Sequence, residues 1–292
     1  MKKRLFTYFQ KLDKFKRIRE KNQNPLLKII LKITSKILLF IFLAIISQIG
    51  GIIYLISLII TKRWRWNSTF KPFIIFIGLY LFSTFLIIPF IAPIFGREQV
   101  KHTDLIGPTN YMTVLLNRNY VSPQLNELLL QTEKELNGSG IKIHYLDANF
   151  PFINKFPLLP HLSHNDGKKI DISLIYETKS GELTYKQKSI SGYGVFEAPK
   201  SNEYNQIDTC LNNGYFQYDY PKYLTFGRIN TELIFSKKGT KTLIKSILKN
   251  KKLEKLFIEP HLKKRMKLVN PKIRYHGCRA VRHDDHIHIQ VR

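Results

Sequence analysis

Two long uncharged runs constrain this chain more than any other feature. Residues 37–60, ILLFIFLAIISQIGGIIYLISLII, hold 24 residues without a charge, and residues 72–96, PFIIFIGLYLFSTFLIIPFIAPIFG, hold 25 more. About 20 apolar residues suffice for a helix to cross a bilayer. In hydrocarbon the backbone must satisfy its own polar groups, so each run predicts a membrane helix. The length of the first run and the 12 Lys and Arg ahead of residue 37 exclude a cleaved signal peptide. Trp64 and Trp66, the only tryptophans, fall in the connection TKRWRWNSTFK and suit an interfacial belt. The chain divides into a basic tail (1–36), a membrane anchor with two hydrophobic segments (37–96) and a C-terminal domain (97–292).

Charge gives two orientations. A simple hairpin places both termini inside, yet the basic connection itself prefers the inside. If the first run folds back at SQIGG (47–51), the second is the only true crossing and the domain lies outside. The net charge is +26, with 16 basic and 2 acidic side chains in residues 1–71 and 31 against 19 in the remainder. The first excess flanks the anchor and suits anionic headgroups. The second suits an anionic wall polymer or simply a solvated lysine-rich surface. Charge alone points to nucleic acid, and no nucleic-acid motif supports it, so that partner is unlikely. Cys210 and Cys278 form no CxxC pair; bridged and free states both remain open.

After residue 97 the patterns mix. SPQLNELLLQTEKEL (122–136) has a Ser-Pro start and helical leucine spacing. IKIHYLD (141–147) and KKIDISLIY (168–176) alternate as strands do. TKTLIKSILKNKKLEKLF (240–257) predicts one amphipathic basic helix, and KIRYHGCRAV with HDDHIHIQV predicts closing strands. The expectation is an α+β domain whose small antiparallel sheet carries a metal site.

Six of the nine histidines fall in two windows: His161 and His164 in the first, His276, His283, His286 and His288 in the second. In a strand alternate side chains share a face. His286 and His288 then oppose Ile287, Ile289 and Val291, while Asp171 and Ser173 oppose Ile170, Ile172 and Leu174. Two such strands gather His164, Asp171 and His288 at one point. Imidazole and carboxylate ligands with a fourth position open are what a catalytic zinc requires; a structural site more often uses cysteines and closes all four positions, and with two cysteines far apart it is the weaker option.

SHNDGKKID and the terminal HDDHIH resemble zinc peptidases of the lysostaphin, D-alanyl-D-alanine peptidase and hedgehog type. Within that group the chain is most similar to penicillin-insensitive murein endopeptidases, which share a His three residues before the first ligand and a His-x-x-His-x-His ending. The stretch LFIEPHLKKRM (256–266) is similar to the segment before that ending. The resemblance covers about residues 115–292 and implies zinc ligands at His164, Asp171 and His288. It implies His286 as the group that polarises the scissile carbonyl or stabilises the oxyanion. Asp285 stands where the carboxypeptidase branch has a Glu base, one methylene shorter, and His283 is the rival base. His161 is expected to orient a ligand. The implied activity is hydrolysis of peptidoglycan stems or crosslinks by a multi-pass inner-membrane protein with its domain on the periplasmic, outer face. The alternative is an inactive zinc-binding module of the same fold that holds envelope polymer or a partner. The double anchor and residues 191–227 have no counterpart in that family.

Overall fold

The computed structural model describes residues 25–64 and 70–292; the leader before Pro25 and Trp66 lie outside the described residues. Three helices come first: α1 (Pro25–Ser47), α2 (Gly50–Arg63) and α3 (Lys71–Phe95). α1 and α3, of 23 and 25 residues, are long and apolar enough to cross a membrane. The first uncharged run is therefore not one helix. It breaks at Gln48, whose φ is 64°, and α2 folds back along α1. A Cβ on Gly51 would stand 2.9 Å from the Phe40 carbonyl oxygen, so only glycine allows the two helices to close up here. α2 has 14 residues, about 21 Å of helix. α1 reaches crossing length by drawing in residues 25–36, which the charge pattern assigns to the tail.

α3 changes pitch in the middle. Pro89 has no N–H to offer the preceding turn, and the chain relaxes into a π-turn over Ser83–Ile87, with the Ile88 N–H bonded to the Ser83 carbonyl. Trp64 ends α2 and is exposed.

The rest is a mixed α+β domain. Its first half runs β1 (Glu98–Gln99), β2 (Ile106–Pro108), α4 (Met112–Leu115), β3 (Tyr120–Val121), α5 (Pro123–Leu136), β4 (Ile143–Tyr145) and β5 (Lys169–Ser173). The second half runs β6 (Tyr176–Glu177), β7 (Leu183–Thr184), α6 (Gln206–Asn212), β8 (Ile234–Phe235), α7 (Lys237–Leu248), β9 (Leu253–Phe257), α8 (Pro260–Arg265), β10 (Ile273–Arg274) and β11 (His286–Val291). The main sheet has the order β10-β9-β11-β5-β4-β2. Its four inner strands are antiparallel, and β10 and β2 add in parallel at the edges.

One face of this sheet is packed shut. Ile170, Ile172, Ile287 and Ile289 are fully buried against Leu125, Leu128 and Leu129 of α5 and Leu243, Ile244 and Ile247 of α7. Each such side chain contributes about 1.5–3 kcal/mol. Together they lock the register of β5 against β11, because a slip by one residue would turn the isoleucines out.

Two element boundaries differ from expectation. The single helix over 240–257 ends at Leu248, and LEKLF is the inner strand β9. Leu253 and Leu256 fit both periods, and the stop comes from Asn250, whose side chain accepts from Lys252 N and donates to Gln131. KIRYHGCRAV is strand only at Ile273–Arg274, after which the backbone turns at Gly277 with φ of 89°.

Candidate metal centre

The antiparallel register sets His288 opposite Asp171 and His286 opposite Ser173. The isoleucines take one face, so Asp171, His286 and His288 share the other. They are nonetheless buried, because the loops around them close over that face.

His161 and His164 arrive differently, on the irregular stretch 150–167. Arg97, the first residue after the αL cap of α3, is 2% exposed and pins this stretch. Its guanidinium donates to the Phe150 carbonyl, Asn154 Oδ1 and the Asn165 carbonyl. Burial holds the Arg97 pKa below the usual guanidinium range, against the pull of Asp166. Gln48, at the break between α1 and α2, accepts from Phe152 N at 2.9 Å. The anchor thus grips the loop that carries two of the histidines.

The ligand atoms converge. His164 Nε2 is 3.1 Å from His288 Nδ1 and 3.2 Å from Asp171 Oδ1, and His288 Nδ1 is 2.8 Å from Asp171 Oδ1. Ligands of a tetrahedral ion at bond lengths of roughly 2.0–2.1 Å stand about 3.3 Å apart. The observed triangle is that size, slightly contracted. His164 Nδ1 lies 2.8 Å from the Ala148 carbonyl; donating there leaves Nε2 with a free lone pair aimed inward. On the other carboxylate oxygen, His161 Nδ1 is 2.6 Å from Asp171 Oδ2. It is out of line for a hydrogen bond, so both nitrogens of this buried ring lack a hydrogen-bond partner. Orphaned polar atoms of this kind fit a metal site. His161, His164 and Asp171 form a buried group, with ligand atoms within 4.8 Å of one another, that could hold a metal ion. His288 completes a second, overlapping triad around the same carboxylate.

Burial opposes the charge of Asp171, but His164, His286 and His161 around it drive its pKa well below the carboxylate range. His286 Nε2 is 3.6 Å from Asp171 Oδ1, and its Nδ1 is 2.5 Å from Asp285 Oδ1. Burial works against the His286 cation too, yet Asp171 and Asp285 push its pKa up to about 9. Burial takes His288 down to about 3 in spite of Asp171. His283 is driven well down by burial and by its His286, His288 and His276 neighbours, and is neutral.

Asp285 does not face the triad with a free oxygen. Oδ1 contacts His286, and Oδ2 accepts from Gly194 N at 2.6 Å. Asp284 is fully buried. It is clamped by Arg282 at 2.5–2.7 Å, and Arg282 also reaches Asp219 at 2.8 Å.

Residues 191–227, which have no counterpart by resemblance, build one side of the centre. Tyr193 donates to Asp171 Oδ2 at 2.9 Å. A Cβ on Gly194, at φ of 78°, would lie 2.2 Å from the Pro221 carbonyl oxygen, so this turn requires glycine. The Gly-Tyr-Gly triplet was the available signal for Tyr193. Tyr193 and Tyr218 are buried, whereas Phe216, Tyr220, Tyr223 and Phe226 are exposed; only part of the aromatic set belongs to the core. The centre floors a cavity of about 580 Å³ whose walls include Leu159, Leu162, Tyr220, His276, Arg279 and Val281. A Cys210–Cys278 disulfide ties α6 to the His276–Val281 wall, and Gln217 donates to the Cys278 carbonyl at 3.2 Å. His261 points elsewhere, to the Glu197 carbonyl.

No protein-family model matches this chain, and no curated protein matches it.

Proposed function

We propose that the chain is a membrane-anchored zinc metallopeptidase that hydrolyses peptide stems or crosslinks of peptidoglycan. The observation that carries the reading is the convergence of His164 Nε2, His288 Nδ1 and Asp171 Oδ1 at 2.8–3.2 Å on the floor of an open cavity. Three N and O ligands with an open side suit catalytic zinc. The substrate part rests on the similarity of SHNDGKKID and HDDHIH to murein endopeptidases.

Zinc held there supplies Lewis acidity towards a carbonyl oxygen and makes a water molecule nucleophilic near neutral pH. His286 is the chain's own group for the developing oxyanion. Asp285 holds its Nδ1 and turns its Nε2 towards the triad. With Asp171 spent on a cation, Asp285 remains to support the imidazolium. Proton transfer falls to His283, which is neutral and lines the same cavity. Asp285 has both oxygens engaged and serves as a positioning residue.

Two observations favour an inner-membrane protein with the domain on the outer, periplasmic face. Gln48 and Ile49 at the helix break contact the domain-side groups Phe152, Ile88, Ala92 and Tyr120. The break therefore lies on the domain's side, and the start of α1 and the end of α2 lie on the other. Both basic stretches then share the inside, which removes the conflict between the two orientations. A disulfide is also the bond expected in an oxidising compartment.

The test is digestion of purified peptidoglycan by the full chain in detergent micelles. Wild type is expected to release new amino termini, and His286→Ala to be slower by about 10²–10³-fold, the loss seen on removing one oxyanion donor. The engagement of both Asp285 oxygens favours one second reading, an inactive module that holds wall polymer. Wild-type protein that binds zinc and wall but releases nothing would establish that reading instead.

A further inference from the structure

The loop that carries His161 and His164 is tied to the anchor at both ends. Phe152 packs at a tilt against Phe95, ring centroids 5.1 Å apart, and Arg97 pins Phe150 and Asn154 at one end and Asn165 at the other. In the middle, Arg118 donates to the Leu159 carbonyl at 2.7 Å. Its neighbour Asn117 donates to Thr84 Oγ1 and to the Tyr80 hydroxyl on α3, both at 3.3 Å, and Tyr80 donates to the Leu115 carbonyl at 2.8 Å. Thr84 stands 11 residues before the end of α3 at Phe95, about 17 Å along the axis. Tyr80 is about 22 Å from that end by the same rise. A helix that crosses an apolar core of about 30 Å therefore holds Leu115–Asn117 well below the surface.

The side chains on this flank agree with that depth. Tyr111 is 72% and Met112 51% exposed, next to α3, and Ile153, Leu159 and Leu162 on the loop are 54–57% exposed. Leu159 and Leu162 also line the cavity over the metal centre. On α3 itself, whose Tyr80 and Thr84 bond to this flank, Leu81 and Phe85 are 39% and 50% exposed. Scattered surface apolar residues need no explanation, but several on segments hydrogen-bonded to an apolar helix of crossing length do.

We propose that this flank, from Tyr111–Asn117 to Leu159–Leu162, is a lipid-contacting surface sunk in the leaflet on the domain's side. The cavity mouth then opens at the bilayer surface and takes a peptide carried on a membrane lipid. The inference rests on the membrane reading given above. Its partner is the bilayer, because the segments that carry these side chains are bonded to α3, the helix long and apolar enough to cross it.

The test uses the full chain in liposomes, with single cysteines labelled by an environment-sensitive fluorophore under non-reducing conditions that keep Cys210 and Cys278 paired. Met112→Cys, Leu159→Cys and Leu162→Cys are compared with Phe85→Cys on α3 and with Val269→Cys, 97% exposed beside the far sheet edge. Blue-shifted emission and quenching by spin-labelled lipid are expected at 85, 112, 159 and 162 and not at 269. Quenching at 85 but not at 112, 159 and 162 overturns the lipid-contacting flank and leaves the membrane reading standing. No quenching at 85 removes both. In the same liposomes a stem peptide on a lipid carrier should bind at least about 10-fold more tightly than the free peptide, since tethering raises its effective concentration. Equal affinity overturns the assignment of a lipid-carried substrate.

Discussion

Asp171 and His288 reach the metal centre on neighbouring strands, whereas His161 and His164 reach it on a loop. The strand pair is fixed by burial: Ile170, Ile172, Ile287 and Ile289 are all 0% exposed, and register follows from them. The loop is fixed by polar contacts, chiefly from Arg97, which directly follows α3, and from Gln48, at the break between α1 and α2. One half of the site is therefore as firm as the core. The other half depends on the apolar N-terminal helices being in place.

Substitutions on the two halves should separate these two kinds of support. Ile289→Ala empties a fully buried position on β11 and should cost about 2–5 kcal/mol. Chemical denaturation of the full chain should show one lowered transition for the whole domain, with metal binding lost alongside it. Arg97→Ala should act on the loop half. It leaves the Phe150 carbonyl without its donor, about 1–3 kcal/mol if that oxygen stays buried, and takes one donor from Asn154 and from the Asn165 carbonyl, which keeps the Lys155 N–H. Protease cleavage within 150–167 should rise while the strand core keeps its protection from hydrogen exchange. Equal loss of protection in β5 and β11 would break the distinction.

Tyr193→Phe is the mildest change and the most local. It deletes the hydrogen bond to Asp171 Oδ2 and the one accepted from the buried Asp147 N–H, and leaves the ring in place. Metal affinity, read by chelator competition, should fall by about 10–100-fold, as for other partners of metal ligands, and the unfolding free energy by about 1–3 kcal/mol for the Asp147 N–H left unpaired. Unchanged affinity would mean that Tyr193 packs against the ligand without orienting it.

A pH profile sharpens the account from another side. Glu259 is pushed up to about 7, mainly by burial and then by Asp284, while Tyr218 and the His283 N–H oppose the shift. Its folded-state pKa is above that of the unfolded chain, so the folded domain holds the extra proton between about pH 4.5 and 7. Stability should fall as pH rises through that window and level off above it. Glu259→Gln should flatten the slope.

Much of the strand half was legible in the sequence. Alternation in KIDIS and HIHIQ fixes which side chains face together, and that is a local property. The loop half was not, because nothing near His161 or His164 shows that Arg97, more than 60 residues earlier, will be buried against the loop that carries them. Tyr193 and the Cys210–Cys278 bond are long-range for the same reason. The Ser-Pro start of α5 could be read directly. LEKLF was misread as helix because its leucines fit both periods and only the packing of Asn250 decides. At SQIGG the glycines marked a bend, but its direction was set by contacts with Phe152 and Ile88.

The central claim is that the two halves hold one ion between them. Elemental analysis of the full chain tests it, with wild type beside His164→Ala from the loop and His288→Ala from the strand. The account predicts about one bound zinc in the wild type, as a single three-ligand site requires, and its loss in either variant. A wild type without metal, or a His288→Ala variant that keeps it, would contradict the account.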